Sequence, residues 1–111
     1  MPVPLYQAKA EFFRTLGHPA RIRVLELLAA EDLPVHRLLA AIEIEPSNLS
    51  QQLAVLRLAG LVKQRRAGGE VVYSLALPAV NDLLTSARAI LETKTADQGG
   101  LVDDITPVAP R

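Results

Sequence analysis

Apolar residues recur at helical spacing through the first half of the chain, and Gly, Pro or acidic residues interrupt the pattern at intervals. Residues 5–16 predict a first helix that ends at Gly17. A second helix opens at His18, and its apolar residues cover much of its circumference, so we expect it at the centre of the core. Residues 29–32 close it, and Leu33-Pro34 then predicts a short extended link.

A short helix and a longer one follow this link, with a tight turn of three residues between them. Residues 35–42 predict the short helix, and residues 46–61 predict the longer one, with Gly60 as its stop signal. The longer helix has an apolar stripe at i, i+4 and i+7, formed by Leu49, Leu53 and Leu56. This order of elements indicates a helix-turn-helix.

The polar side of the longer helix carries uncharged side chains that donate and accept hydrogen bonds. They are Ser47, Asn48, Ser50, Gln51 and Gln52. A helix that is anchored by leucines and presents amides and hydroxyls near its N-terminus suits contact with base edges in a DNA major groove. The simpler alternative is an ordinary amphipathic helix with a solvated polar face, and the next segment favours the first interpretation.

Two β-prone runs, residues 61–66 and 70–75, flank Gly68-Gly69 and predict a β-hairpin. A hairpin directly after a helix-turn-helix indicates a winged helix. The net charge is zero, with twelve Lys and Arg against twelve Asp and Glu, but residues 46–69 contain four basic residues and no acidic one. This segment therefore predicts a positive surface that contacts DNA phosphates. Its basic residues are Arg57, Lys63, Arg65 and Arg66.

Residues 77–93 predict a last helix with one apolar face, and the first helix has a similar surplus of large apolar residues. Such a face could complete the core or be buried against another subunit. Because both helices lie outside the helix-turn-helix core, we expect a dimer interface. Its candidate residues are Leu5, Phe12, Phe13, Val80, Leu83, Leu84, Ala87 and Leu91. The expected fold is mainly α with a β-hairpin wing: a winged helix-turn-helix of about five helices, with the hairpin between the fourth and the fifth. We assign residues 1–94 to this domain and expect residues 95–111 to be a disordered tail.

The composition excludes several classes of function. There is no cysteine, which removes disulfides, thiolate nucleophiles and thiolate metal sites. No apolar run approaches the roughly 20 residues of a membrane span, and the N-terminus lacks a signal-peptide pattern. We therefore expect a cytoplasmic protein without a membrane partner. No phosphate-binding glycine loop and no carboxylate–histidine cluster at catalytic spacing is present, so we do not expect an enzyme.

Three segments together resemble the ArsR/SmtB family of bacterial regulators. Residues 16–28 resemble its second-helix signature, residues 47–62 its recognition helix, and residues 65–75 its wing. The resemblance implies a homodimeric winged-helix transcription factor whose first and last helices form the dimer. It further implies binding to a double-stranded operator with an imperfect inverted repeat near its own gene, usually as a repressor that an effector, often a metal ion, releases. One departure is Gln52, where the family commonly has His.

The family's metal-ligand positions hold no ligands in this chain. The thiolate positions correspond to about Pro34 and Val35, and the last-helix positions read Leu77, Ala79, Ile90 and Thr93. The two histidines, His18 and His36, are weak metal candidates, for nickel, cobalt or zinc, and structural roles suit them better. Two alternatives stay open: a regulator that responds to metal through a non-thiolate site, and one without its own effector site. The second would act with a co-regulator protein or as an activator.

Overall fold

A computed structural model describes residues 2–95. The predicted tail, apart from Thr95, lies outside these residues. The chain divides into two compact units, one ending at Asn81 and the other beginning at Asp82, within the last helix. The second unit, as far as it is described, is the remainder of that helix, and the first contains all the other elements.

The described residues form five helices and three strands, and they confirm the predicted winged helix-turn-helix. The helices are α1 (Leu5–Leu16), α2 (Pro19–Ala30), α3 (Val35–Ile42), α4 (Pro46–Leu58) and α5 (Ala79–Thr95). The strands are β1 (Leu33–Pro34), β2 (Val62–Ala67) and β3 (Glu70–Leu75). Several bounds differ from the prediction by one to three residues. Helix α4 ends at Leu58 instead of residue 61, β2 lies one residue further along the chain than residues 61–66, and α5 begins and ends two residues later than residues 77–93.

Helix α2 lies at the centre of the first unit, as its apolar circumference predicted. It contacts α1, α3, α4 and β3. Val24 and Leu25 on this helix are completely buried, and Leu38 on α3 is buried with them. Full burial of a Val or Leu side chain stabilises a fold by roughly 1.5–3 kcal/mol. The core of this unit is therefore aliphatic and is built around α2.

The three strands form an antiparallel sheet in the order β1-β3-β2. The wing is the hairpin of β2 and β3, closed by the pair Ala67 and Glu70. Gly68 and Gly69 form its two-residue turn with φ of 59° and 83°. Such a turn needs positive φ at both positions, and glycine adopts it without steric cost. The predicted Leu33-Pro34 link is extended, and it also pairs with β3 as a third strand.

The predicted interface residues differ in their exposure. Leu5, Phe13 and Leu91 are large apolar side chains with 69%, 53% and 45% exposure, and Phe12, Leu83, Leu84 and Ala87 are partly exposed. The prediction that Val80 lies in the interface is wrong, because its side chain is only 4% exposed. It lies in the first turn of α5, which belongs to the first unit, and its side chain is part of the core of that unit. Tyr6 and Ile90 are exposed apolar residues that the sequence pattern did not single out.

Candidate nucleic-acid interface

Helix α4 is anchored at its start and along one face. Glu43 adopts φ 61° in the turn that precedes it, and Pro46 occupies the first helical turn, where its missing N–H leaves no intrahelical hydrogen bond unmade. Its buried side chains include Leu49, Leu53 and Leu56, each at most 2% exposed. The helix contacts α2 and β2. Its opposite face is consequently held in a fixed orientation toward solvent.

The polar residues at the start of α4 occupy that solvent-facing side. Ser47, Ser50 and Gln51 are exposed. Their spacing of i, i+3 and i+4 places them on one face of the first two turns. Asn48 is partly exposed beside them. Recognition helices of helix-turn-helix proteins contact base edges with residues at this end.

Gln52 differs from the prediction that it faces the groove. Its side chain is buried, at 7% exposure. Both the oxygen and the nitrogen of its side-chain amide form hydrogen bonds within the protein. Oε1 accepts from Arg21 Nε at 2.8 Å, and Nε2 donates to Asn48 Oδ1 at 2.9 Å. Arg21 also donates from Nη1 to the carbonyl oxygen of Thr15 at 3.0 Å. Gln52 therefore joins α4 to α2 and, through Arg21, to the last turn of α1.

The sequence contains the signal that places Gln52 inside. Positions 49, 52, 53 and 56 follow the spacing i, i+3, i+4 and i+7, which is the core-facing stripe of an amphipathic helix. A glutamine within a leucine stripe is buried with its neighbours and needs internal hydrogen-bond partners. Arg21 and Asn48 supply them.

The wing carries its cations on one exposed strand. Lys63, Arg65 and Arg66 all lie on β2, and all are exposed. Arg65 Nη1 forms an ion pair with Asp32 Oδ2 at 2.7 Å. Lys63 and Arg66 form no ion pair with any residue that the structure describes. Arg57, in the last turn of α4, is exposed as well.

The two histidines have contacts within the chain. His18 Nδ1 accepts from the backbone N–H of Ala20 at 3.1 Å and caps α2, which confirms its predicted structural role. His36 Nδ1 lies 3.1 Å from Glu70 Oε1 at the base of the hairpin turn. Within residues 2–95, no three His, Asp or Glu side chains are grouped to hold a metal ion. Neither histidine is therefore part of such a group within the described residues of a single chain.

No helix among the described residues is both long and apolar enough to cross a membrane.

The candidate interface consists of the fixed polar face of α4 and the basic strand of the wing. Together these features suit a surface that contacts base edges in the major groove and phosphates beside it.

Comparison with known proteins agrees with this geometry. A family model described as bacterial regulatory protein, arsR family, matches residues 18–64, which run from the cap of α2 into β2. An uncharacterised HTH-type transcriptional regulator of Mycobacterium tuberculosis, Rv0081, is 50% identical over 103 residues, which cover 92% of this chain and 90% of that protein. The biofilm growth-associated repressor of Agrobacterium fabrum is 36% identical over 94 residues, which cover 81% and 80%.

Solved structures give the same result for the fold. The crystal structure of M. tuberculosis Rv0081 matches with a TM-score of 0.78 at 52% identity, over 87% of this chain and 98% of that one. A domain of Mb0332 from Mycobacterium bovis, described as a homodimeric winged helix-turn-helix DNA-binding domain, matches with a TM-score of 0.73. Its identity is 23%, over 88% of this chain and 91% of the domain. At that identity, the likeness concerns the fold.

Proposed function

We propose, because the chain belongs to the ArsR family of bacterial regulatory proteins, that it binds an operator as a homodimer and represses transcription there. The family consists of DNA-binding transcriptional regulators and not of enzymes, and this chain is one of these regulators. Four further properties are proposed for this chain: the homodimer, the inverted-repeat operator, the cytoplasmic location and the repression.

The observation that supports this mode of binding is the exposed face at the start of α4. Ser47, Ser50 and Gln51 present hydroxyl and amide groups on a helix whose other face is buried in the core. We assign contacts with base edges to these residues and to Asn48. We assign phosphate contacts to Arg57 at the end of the helix and to the exposed wing cations Lys63, Arg65 and Arg66.

Exposed apolar residues support the dimer. Leu5 and Phe13 on α1 are more than half exposed, and so is Ile90 on α5. Covering large apolar side chains is favourable at about 25 cal/mol per Å², and a second copy of the chain would supply such a cover. A homodimer is also the form named for the M. bovis domain, with which this chain shares the fold. Two-fold symmetry then requires two half-sites about one helical turn of DNA apart, or a multiple of that distance.

Repression is proposed from the relatives. The A. fabrum relative is named as a repressor, and a protein bound across a promoter blocks the polymerase without further chemistry. Nickel, cobalt and zinc remain the candidate effectors, although the described residues show no site for them within one chain. No contact among the described residues favours a co-regulator protein.

The test is fluorescence anisotropy with duplexes that tile the DNA upstream of the protein's own gene. We expect one fragment to bind as a dimer, with an affinity that falls steeply as the salt concentration rises. A reporter fused to the same fragment should be silenced when the protein is expressed. Titrations with each of the three metals, with and without DNA, measure any coupling between effector and operator.

Two results would contradict the proposal. One is the absence of salt-sensitive binding to every upstream fragment, with and without metals. The other is a reporter whose expression rises when the bound protein is present, which would make the protein an activator. Sedimentation of the DNA-bound form separates a dimer from a bound monomer.

A further inference from the structure

We infer that Arg21, Gln52 and Asn48 form a hydrogen-bond chain with a fixed direction, which makes Asn48 a hydrogen-bond donor toward DNA and favours guanine at the position it contacts. This inference rests on the proposed function, since it concerns the face of α4 that meets the groove. The hydrogen-bond chain begins at the carbonyl oxygen of Thr15, to which Arg21 Nη1 donates at 3.0 Å.

The direction of the hydrogen-bond chain follows from the chemistry of Arg21. A guanidinium group only donates hydrogen bonds. The atom of Gln52 that lies 2.8 Å from Arg21 Nε must therefore be the amide oxygen. This fixes the other end of the same amide as the NH2 group, which only donates. The atom of Asn48 that lies 2.9 Å from it must in turn be the carbonyl oxygen Oδ1.

Burial keeps Gln52 in this orientation. Its side chain is 7% exposed, and no buried side-chain nitrogen or oxygen among the described residues lacks a hydrogen-bond partner. If the amide of Gln52 turned over, its NH2 group would face the Arg21 guanidinium, and two donors would meet without an acceptor. Buried polar groups without partners are strongly disfavoured. The orientation of Asn48 is consequently set from inside the protein.

Asn48 then presents its Nδ2 group, with two N–H donors, at its exposed end. Within the described part of the chain its Oδ1 bonds to Gln52, and Nδ2 makes no hydrogen bond. In the major groove guanine offers two acceptors, N7 and O6, whereas cytosine offers an amino donor. The usual contact of asparagine with adenine uses its oxygen to accept from the adenine amino group. Here that oxygen is engaged with Gln52, so guanine is the better match.

The experiment selects DNA from a library in which the half-sites are randomised, with the full chain and with single variants. For the wild-type protein we expect one position in each half-site to favour guanine over cytosine by roughly tenfold. Asn48→Ala should reduce that preference to less than about twofold. Asn48→Asp should move it to bases with an amino group, because an aspartate accepts from Gln52 and presents a second acceptor to the groove.

Gln52→Glu tests the hydrogen-bond chain. A glutamate still accepts from Arg21, but it cannot donate to Asn48. Asn48 should then turn over, donate through Nδ2 to the carboxylate introduced by the substitution and present Oδ1 to the groove, so the preference at its position should move from guanine to adenine or cytosine. Gln52→His retains one acceptor and one donor in the neutral ring and should keep the guanine preference. Gln7→Glu makes the same charge change on the exposed surface of α1 and should leave the preference unchanged.

The outcomes separate this inference from the proposed function. If the wild-type protein enriches no sequence, the proposed function fails and this inference fails with it. A second outcome is that the wild-type protein enriches a sequence while Gln52→Glu, shown to be folded by its circular dichroism spectrum, still selects guanine at the Asn48 position. In that case the hydrogen-bond chain does not set the preference. Unchanged selection by both Asn48 variants would show that Asn48 contacts no base.

Hydrogen exchange of the side-chain amides keeps the test decisive if Gln52→Glu does not fold. In the ¹⁵N-labelled wild-type protein, the Gln52 amide protons should be protected from exchange. The Asn48 amide protons should exchange rapidly and become protected when the selected DNA is added. The reverse order of protection in the free protein would overturn the inference.

Discussion

Asp32 Oδ2 accepts a hydrogen bond from Arg65 Nη1 at 2.7 Å, so a carboxylate outside the wing holds one of the three wing cations. The two side chains remain 44% and 55% exposed. An exposed ion pair of this kind contributes about 0–1 kcal/mol to stability. Its main consequence concerns the proposed DNA binding, in which Asp32 would compete with a DNA phosphate for the same guanidinium.

Asp32→Asn should therefore raise the affinity for DNA of any sequence, by roughly two- to fivefold at low salt. Arg65 is released for a phosphate, and one negative charge leaves the neighbourhood of the wing. Anisotropy titrations at several salt concentrations measure the change. Glu31→Gln, which removes the neighbouring exposed carboxylate, is the matched control. Equal effects of the two variants would show that only net charge matters and that the Asp32–Arg65 pair does not.

Arg66→Ala should weaken binding to all sequences similarly and reduce the slope of log K against log salt by about one. Successive residues of a strand point to opposite faces, so Arg66 lies on the other face of β2 from Arg65 and does not share its partner. It forms no ion pair within the described residues. Arg14→Ala, on the exposed side of α1 opposite Leu5 and Phe13, serves as the control and should leave the slope unchanged. A slope that Arg66→Ala does not alter would exclude a phosphate contact.

Gln51→Ala should cost about 1–3 kcal/mol of specific binding and relax the sequence preference at one position of each half-site. Gln51 is exposed on the same face as Ser47 and Ser50, so its substitution should remove the proposed base contact and leave the core intact. Competition between the selected operator and unrelated duplexes measures this loss. A uniform loss on all duplexes would assign Gln51 to the phosphate backbone.

Sequence patterns predicted the elements of this fold well, because the period of the apolar residues and the turn residues act locally. They did not predict that Leu33-Pro34 pairs with β3, since that pairing joins segments far apart in the chain. Gln52 and Val80 were misassigned for different reasons. The leucine stripe of α4 already places Gln52 on the buried face, and its polar residue type was followed instead. Val80 is apolar, and residue type alone does not distinguish burial in the core of the first unit from burial in an interface.

Leu25→Ala should lower the free energy of unfolding by about 2–5 kcal/mol, because it opens a cavity in the completely buried centre of α2. Leu58→Ala is the matched comparison, since the same side chain at 84% exposure should change stability by less than about 0.5 kcal/mol. Urea denaturation followed by circular dichroism gives both values. Similar losses for the two variants would contradict the aliphatic core around α2 as described.

Phe13→Asp and Leu91→Asp should each shift the protein from dimer to monomer at micromolar concentration. Their side chains are 53% and 45% exposed in the single chain, and a buried, unpaired carboxylate in a dimer interface is costly. Sedimentation velocity over a range of concentrations measures the shift. Val80→Ala provides the contrast, because Val80 is buried within the first unit. It should lower the free energy of unfolding and leave the association of the folded chains unchanged. Dimers that persist in both aspartate variants would place the interface elsewhere on the surface.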